Sequence, residues 1–285
     1  MADYSERFFA LANGLRLEAR LYAGGAKVPA ICLPGLTRNL RDFEDVAPQI
    51  AQSGRDVVAL SLRGRGRSDA DPDWRNYRPP TYAGDVLEVL DRLEWPRAAL
   101  IGTSLGGLVA VLTNTRAPER VAGAVINDIG PELAPEGIAR IVGYAGGSRP
   151  DAASLDEASA QIRAINEFAF PGRDFDVWRI FARRTFRESQ GRWVLDYDQM
   201  IGKALTEAEP AGDLWPLFAQ FAGKPLLVVR GAISDLLTPP IIEKMRAAIP
   251  GMDVCEVANV GHAPTLSEPE AVDAIGRFLS RIDRT

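Results

Sequence analysis

Arg97-Ala-Ala-Leu-Ile-Gly-Thr-Ser-Leu-Gly-Gly-Leu-Val-Ala-Val-Leu112 is the stretch that decides the fold. Ala98 to Ile101 is an apolar run of strand length. Gly102-Thr-Ser-Leu-Gly106 follows as a tight turn, and Leu108 to Leu112 continues at helical spacing. Strand, sharp turn and helix is the setting that gives a G-x-S-x-G pattern its meaning. The middle residue of so tight a turn is forced into strained backbone geometry, and glycines on either side keep strand and helix from clashing. Ser104 is thereby expected at the C-terminal edge of a sheet, at the positive end of the next helix. A plain Gly-Ser turn is the simpler reading of the five residues alone; the flanking apolar strand and helix favour the exposed serine.

Working outward, the same alternation recurs. Phe8 to Leu11 and Leu15 to Leu21 flank Asn13-Gly14, which predicts an antiparallel hairpin with a type I′ turn, broken at Gly24-Gly25. Pro29 to Leu33 and Asp56 to Leu62 are buried strands, with a helical stretch from Phe43 to Ala51 between them. Tyr82 to Leu93 has the apolar spacing of a packed helix. Val121 to Ile126 is the next strand, ending at Asn127-Asp128-Ile-Gly-Pro131. From Glu132 to about Leu217 the strand rhythm stops, and helical windows lie around Ile138 to Tyr144, Leu155 to Phe170, Val177 to Phe186 and Gln199 to Ala208. The rhythm resumes with a strand over Lys224 to Gly231, a helix from Pro239 to Ala248, a strand from Met252 to Val257, and a last helix from Glu268 to Arg281. Strands alternating with helices predict an α/β architecture, a mostly parallel doubly wound sheet covered on both faces. The expected division is a core of residues 1–131 and 218–285 with an inserted helical cap over 132–217.

Composition narrows the function. Hydrophobic residues make 46% of the 285 and charged residues 25%, ordinary for a globular chain. A net charge of −5 without any basic run argues against nucleic acid as a partner. The N-terminal residues lack a charged-then-apolar signal pattern, and no apolar run reaches the roughly 18 residues of a membrane span. A cytoplasmic protein working on a small molecule, as monomer or homodimer, is the expectation. The two cysteines, Cys32 and Cys255, sit in apolar strand-like runs and read as reduced core residues. With one histidine and two dispersed cysteines, no metal site and no cofactor are expected.

A serine hydroxyl needs a base, a group to orient that base, and donors for the oxyanion before it can attack a carbonyl. The base is forced: His262 is the chain's single histidine. It lies between Gly261 and Ala263, after the last strand-like run. The orienting acid has two candidates at C-terminal strand ends, Asp128 and Asp235. Either could accept the Nδ1–H of His262; the other would serve loop structure. The oxyanion donors are expected to be the backbone N–H groups of Leu36 and Leu105. Arg63-Gly-Arg-Gly-Arg lacks a Gly-Lys-Ser/Thr ending and reads as a core-shaping turn, not a phosphate loop.

With these residues in hand the chain resembles α/β-hydrolase fold serine hydrolases over nearly its whole length. The carriers are Leu33-Pro-Gly-Leu36, Arg63-Gly-Arg-Gly-Arg-Ser-Asp69, Gly102-Thr-Ser-Leu-Gly-Gly107, Asn127-Asp-Ile-Gly-Pro131 and Gly261-His262. The resemblance implies a Ser-His-acid triad of Ser104, His262 and an aspartate under a cap. Two departures stand out. Pro34-Gly35 occupies the place where many members have His-Gly. The acid's usual place, three residues after the glycine that closes the strand at Gly231, holds Ser234, with Asp235 one residue late. A subset of the family, including small acyl esterases and thioesterases, carries the acid in Asp-Ile-x-Pro, which Asp128 to Pro131 matches. The resemblance therefore favours Asp128 over Asp235.

A serine at the elbow argues against epoxide hydrolase and haloalkane dehalogenase chemistry, which needs a carboxylate nucleophile. The expected function is hydrolysis of a small carboxylic ester or thioester through an acyl-enzyme. The alternatives are a C–C bond or amide hydrolase acting on a small carboxylate-bearing metabolite, and a ligand receptor on a retained hydrolase scaffold. The cap's arginines suggest that a guanidinium, Arg183 among the candidates, holds a substrate carboxylate, while Trp178 and Phe181, spaced at three, either pack on the core or line an apolar acyl pocket as substrate-binding residues. The competing reading is a solvated helix face whose arginines pair with Asp174, Asp176 and Glu188.

Overall fold

The computed structural model describes residues 3–146, 149–209 and 212–284. Its strands are β1 (Ser5–Ala10), β2 (Arg16–Ala26), β3 (Ala30–Leu33), β4 (Arg55–Leu60), β5 (Ala98–Thr103), β6 (Val121–Asn127), β7 (Phe186–Ser189), β8 (Arg192–Leu195), β9 (Leu226–Gly231) and β10 (Asp253–Val257). The helices are α1 (Val46–Gln52), α2 (Pro79–Arg92), α3 (Leu105–Arg116), α4 (Pro135–Ala145), α5 (Leu155–Asn166), α6 (Phe175–Thr185), α7 (Met200–Thr206), α8 (Trp215–Ala219), α9 (Pro239–Ala248) and α10 (Pro269–Ile282). Eight strands form one sheet in the order β1-β2-β4-β3-β5-β6-β9-β10. β2 pairs antiparallel with β1 and β4, and every other pairing is parallel.

Parallel strands buried on both faces need continuous apolar runs, and β3, β4, β5, β6 and β9 supply them. One face packs against α2, α3 and α9 through residues such as Leu100, Val109, Val86 and Met245. The other packs against α1 and α10 through Ile101, Val125, Val46 and Phe278. The chain leaves β3 toward β4 on one side and returns to β5 on the other, which opens a crevice at the strand ends where the winding reverses. The ends of the central strands lie level: Thr103 pairs with Asn127, and Asn127 with Val229. The residues that follow them, Ser104 and Asp128, therefore emerge at one edge.

Between β6 and β9 the chain makes an excursion carrying α4 to α8, and here the expectation of a purely helical segment is corrected. β7 and β8 form a two-stranded hairpin, turned by Gln190 and Gly191 at φ +50° and +72°. Two strands of four residues alternate too briefly to stand out from a helical window. The expected boundary at 217/218 falls inside α8. Three smaller expectations are also corrected. The Asn13-Gly14 hairpin closes with a three-residue loop in which Gly14 has φ +87° and the Gly14 amide donates to Leu11 O, rather than a type I′ turn. β2 runs on through Gly24-Gly25, with a register shift between Tyr22 and Ala26. Cys32 is buried, but Cys255 is partly exposed. Among the described residues, no helix is long and apolar enough to cross a membrane.

Candidate active site

Ser104 caps α3 at φ +51°, ψ −114°, a region L-residues enter at a cost of roughly 1–3 kcal/mol. The crossing that imposes it leaves no room for side chains. A Cβ on Gly102 would lie 2.2 Å from Gly106 O, and one on Gly106 would lie 2.1 Å from Leu33 O. The Ser104 amide donates to Asn127 O at 2.8 Å, which ties the elbow to the end of β6.

His262 arrives from the loop after β10. Its Nε2 is 3.0 Å from Ser104 Oγ and its Nδ1 is 2.8 Å from Asp128 Oδ2. Asp128 is fully buried and also sits at positive φ, +55°. Its Oδ1 accepts the Gly231 amide at 2.9 Å, and its Oδ2 accepts the Ser234 hydroxyl at 2.6 Å. A carboxylate so supplied with donors holds Nδ1–H and leaves Nε2 to accept the serine proton. The histidine loop is pinned from two sides. Asn127 Nδ2 donates to Pro264 O at 2.8 Å, and the Gly261 amide donates to Ala169 O at 2.7 Å. Gly261 must be glycine for that approach: a Cβ would lie 2.9 Å from Ala169 Cα.

Asp235 does not meet the imidazole. Its carboxylate takes Arg140 of α4 in a two-point pair, Nε to Oδ2 at 2.7 Å and Nη2 to Oδ1 at 2.8 Å. Burial pushes its carboxyl upward, but Arg140 more than offsets this and holds it below the ordinary carboxylate range.

Neither the Leu36 nor the Leu105 amide donates to the backbone among the described residues. Leu36 lines the cavity over Ser104, and Leu105 packs its side chain into the core behind it. The Leu36 loop is held by Arg65, a buried residue whose Nε donates to Leu36 O at 3.0 Å while its guanidinium stacks 4.8 Å from the Tyr82 ring centre. The glycine-rich Arg63–Arg67 stretch thus shapes the core near the site, as its turn signature suggested, and does so through Arg65.

The cavity holds about 130 Å³ and runs from Ser104, Leu36 and His262 to the insertion. Its apolar wall is Ile162, Ile165, Phe170, Phe181 and Leu195. Phe181 in that wall is stacked edge-on against Phe170 and Trp178. Two other expectations are corrected. Trp178 has no exposed surface and does not line the cavity; its ring packs in the core edge-on against Phe181. Arg183 is exposed and does not line the cavity; one residue on, Arg184 does. Several insertion arginines follow the solvated-face reading, as Arg179 does with Asp156 and Asp176. The polar wall that sequence reasoning missed is Arg38, Tyr144, Arg149 and Tyr197, from segments with no shared motif. Ser234, by contrast, stood where relatives place their acid, and that was a usable signal. No group of histidine, cysteine or carboxylate side chains able to hold a metal ion occurs among the described residues.

Doubly wound sheets that carry a serine on a strained strand-to-helix turn, and bring an imidazole to it from beyond the last strand, define one class of protein, the α/β-type hydrolases. This chain belongs to the alpha/beta hydrolase family, whose model matches residues 30–275, and it is a hydrolase. It is similar to an alpha/beta hydrolase from Novosphingobium aromaticivorans, with 42% identity, 99% of each chain covered and a TM-score of 0.91. It is 34% identical to a 3-hydroxybutyrate-oligomer hydrolase of Cupriavidus necator, over 88% of this chain and 87% of the other. A 2-(acetamidomethylene)succinate hydrolase of Mesorhizobium japonicum is 26% identical over 86% of this chain and 85% of its own.

Proposed function

We propose that this protein hydrolyses a small carboxylic ester through an acyl-enzyme on Ser104. His262 takes the hydroxyl proton on Nε2 as Oγ attacks the carbonyl carbon, and Asp128 stabilises the imidazolium that forms. The Leu36 and Leu105 amides receive the oxyanion. The intermediate collapses, His262 returns its proton to the leaving alcohol, and water then repeats the sequence on the acyl-serine. The observation that carries this reading is the chain of contacts from Ser104 Oγ to His262 at 3.0 Å and on to Asp128 at 2.8 Å, at the floor of a cavity.

The segment over 132–217 acts as the cap that selects the acyl group. A cavity of about 130 Å³ is close to one that takes a single benzene-sized group, which favours a short acyl unit over a long chain. A short hydroxyacyl ester agrees with the similarity to the hydrolase of 3-hydroxybutyrate oligomers.

The test separates the two aspartates. Asp128→Asn is expected to lower kcat about 10⁴-fold with the fold retained, as loss of the orienting acid does elsewhere. Asp235→Asn should stay within a few-fold of the parent. A fluorophosphonate should label the protein, and Ser104→Ala should abolish both label and turnover. The reverse ranking of the two asparagine variants would transfer the acid role to Asp235.

A further inference from the structure

The cavity wall carries three arginines and one aspartate, Arg38, Arg149, Arg184 and Asp42. Two of the arginines are neutralised within the protein. Arg38 grips Asp42 through Nε at 2.9 Å, and Arg184 donates to Asp45 at 2.7 Å with Glu44 beside it at 3.7 Å. Arg149 has no carboxylate partner among the described residues. Its Nη2 donates to the backbone oxygen of Tyr144 at 2.9 Å, and its guanidinium lies 5.6 Å from the Tyr144 ring centre. A guanidinium has five N–H donors, so this leaves most of the fork unspent.

Two phenols share that wall, Tyr144 and Tyr197, and neither hydroxyl has a hydrogen-bond partner among the described residues. Burial pushes both phenols up, and neighbouring guanidinium charges, Arg140 and Arg38 ahead of Arg149 at Tyr144 and Arg149 at Tyr197, pull them down by less. Both therefore stay protonated donors. Arg149, Tyr144 and Ile165 also line a second, open hollow with Arg140, Gly143 and Phe168, so this corner is where the cavity meets the outer surface of the insertion. Arg140 there is already spent on Asp235. One uncompensated fork flanked by two unused hydroxyl donors, in a partly desolvated corner, matches a planar two-oxygen anion.

We infer that the ester taken by this site carries a free carboxylate, and that Arg149 with the hydroxyls of Tyr144 and Tyr197 is the subsite that holds it. This rests on the ester-hydrolase reading above and adds the charge of the substrate to it. A neutral ester would leave the fork unpaired in the corner it half fills. A hydroxyacid ester with a free acid end would place its carboxylate there while its carbonyl lies over Ser104.

The experiment compares the linear dimer of 3-hydroxybutyrate with its methyl ester, on the parent, Arg149→Gln and Arg149→Lys. The parent should prefer the acid over the methyl ester in kcat/KM. In Arg149→Gln that preference should fall at least tenfold, through KM rather than kcat. Arg149→Lys should keep part of it, since the charge remains and the fork is lost. Because each variant is its own reference, a loss of folded protein does not imitate the result. A preference unchanged in Arg149→Gln, or a parent indifferent to the carboxylate, would overturn the subsite while leaving ester hydrolysis standing. If the parent cleaves neither ester, the ester reading has failed instead. The subsite is then read by calorimetry of 3-hydroxybutyrate binding to Ser104→Ala, which adding Arg149→Gln should weaken at least tenfold; equal binding would overturn it.

Discussion

Asp128 Oδ2 receives two donors, the Nδ1–H of His262 and the hydroxyl of Ser234, while the Ser234 oxygen accepts the amides of Leu236 and Leu237 at 3.2 and 3.1 Å. Ser234 is thus a positioning residue that passes the rigidity of the loop after β9 to the carboxylate. Ser234→Ala removes a hydrogen bond to a charged group, worth about 1.5–3 kcal/mol. The expected outcome is a fall of about tenfold in kcat/KM, carried by kcat with KM near the parent's. Steady-state kinetics check this, and an unchanged kcat would mean Ser234 serves only loop structure. Ser234 also explains why Asp235 was a plausible acid from sequence. A carboxylate one residue late points to the other side of its loop, where Arg140 waits.

At the scale of elements, the Arg140–Asp235 pair joins α4 of the insertion to the loop after β9. Both side chains are less than a third exposed, at 20% and 28%. Arg140→Gln should lower the unfolding free energy by about 1 kcal/mol, near the upper end for pairs not fully buried. The pH dependence follows from the depressed carboxyl of Asp235. A group whose folded value lies below its unfolded one stabilises at pH above the unfolded value, about 3.9, and loses that contribution as pH falls through the folded value. Urea unfolding should therefore show the full gap between parent and Arg140→Gln at neutral pH and a closing gap below about pH 3. A gap that stayed constant into acid would show that the pair is not its source. Element positions were otherwise readable from sequence wherever a buried strand or a long amphipathic helix gave a strong period. β7 and β8 escaped because they are four residues each and bury only the paired Phe186 and Leu195 at one end of the hairpin, which leaves no alternation to read.

At the scale of the molecule, the insertion does not fold over the sheet as a separate body. Trp178, Phe186, Ile162 and Phe170 belong to the same buried cluster as Val125, Val229 and Phe278 of the sheet's second face. Trp178→Ala should cost about 3–5 kcal/mol, as large buried truncations do. Loss of far-UV dichroism and loss of hydrolase activity should still coincide in one transition; two separated transitions would make the insertion an autonomous unit. Sequence alone determined the doubly wound sheet, the elbow at Ser104, the place of the excursion and that any imidazole at the serine must be His262, because these follow from local periodicity, glycine spacing and a count of one. Tertiary structure alone decided which carboxylate faces the imidazole, that Trp178 and Arg183 stand away from the cavity, and that Arg149, among the described residues, is the cavity arginine without a carboxylate partner. Those outcomes depend on which side chains distant segments turn toward each other: Asp128 and His262 are 134 residues apart, and only the level ends of β5, β6 and β9 bring them to one edge.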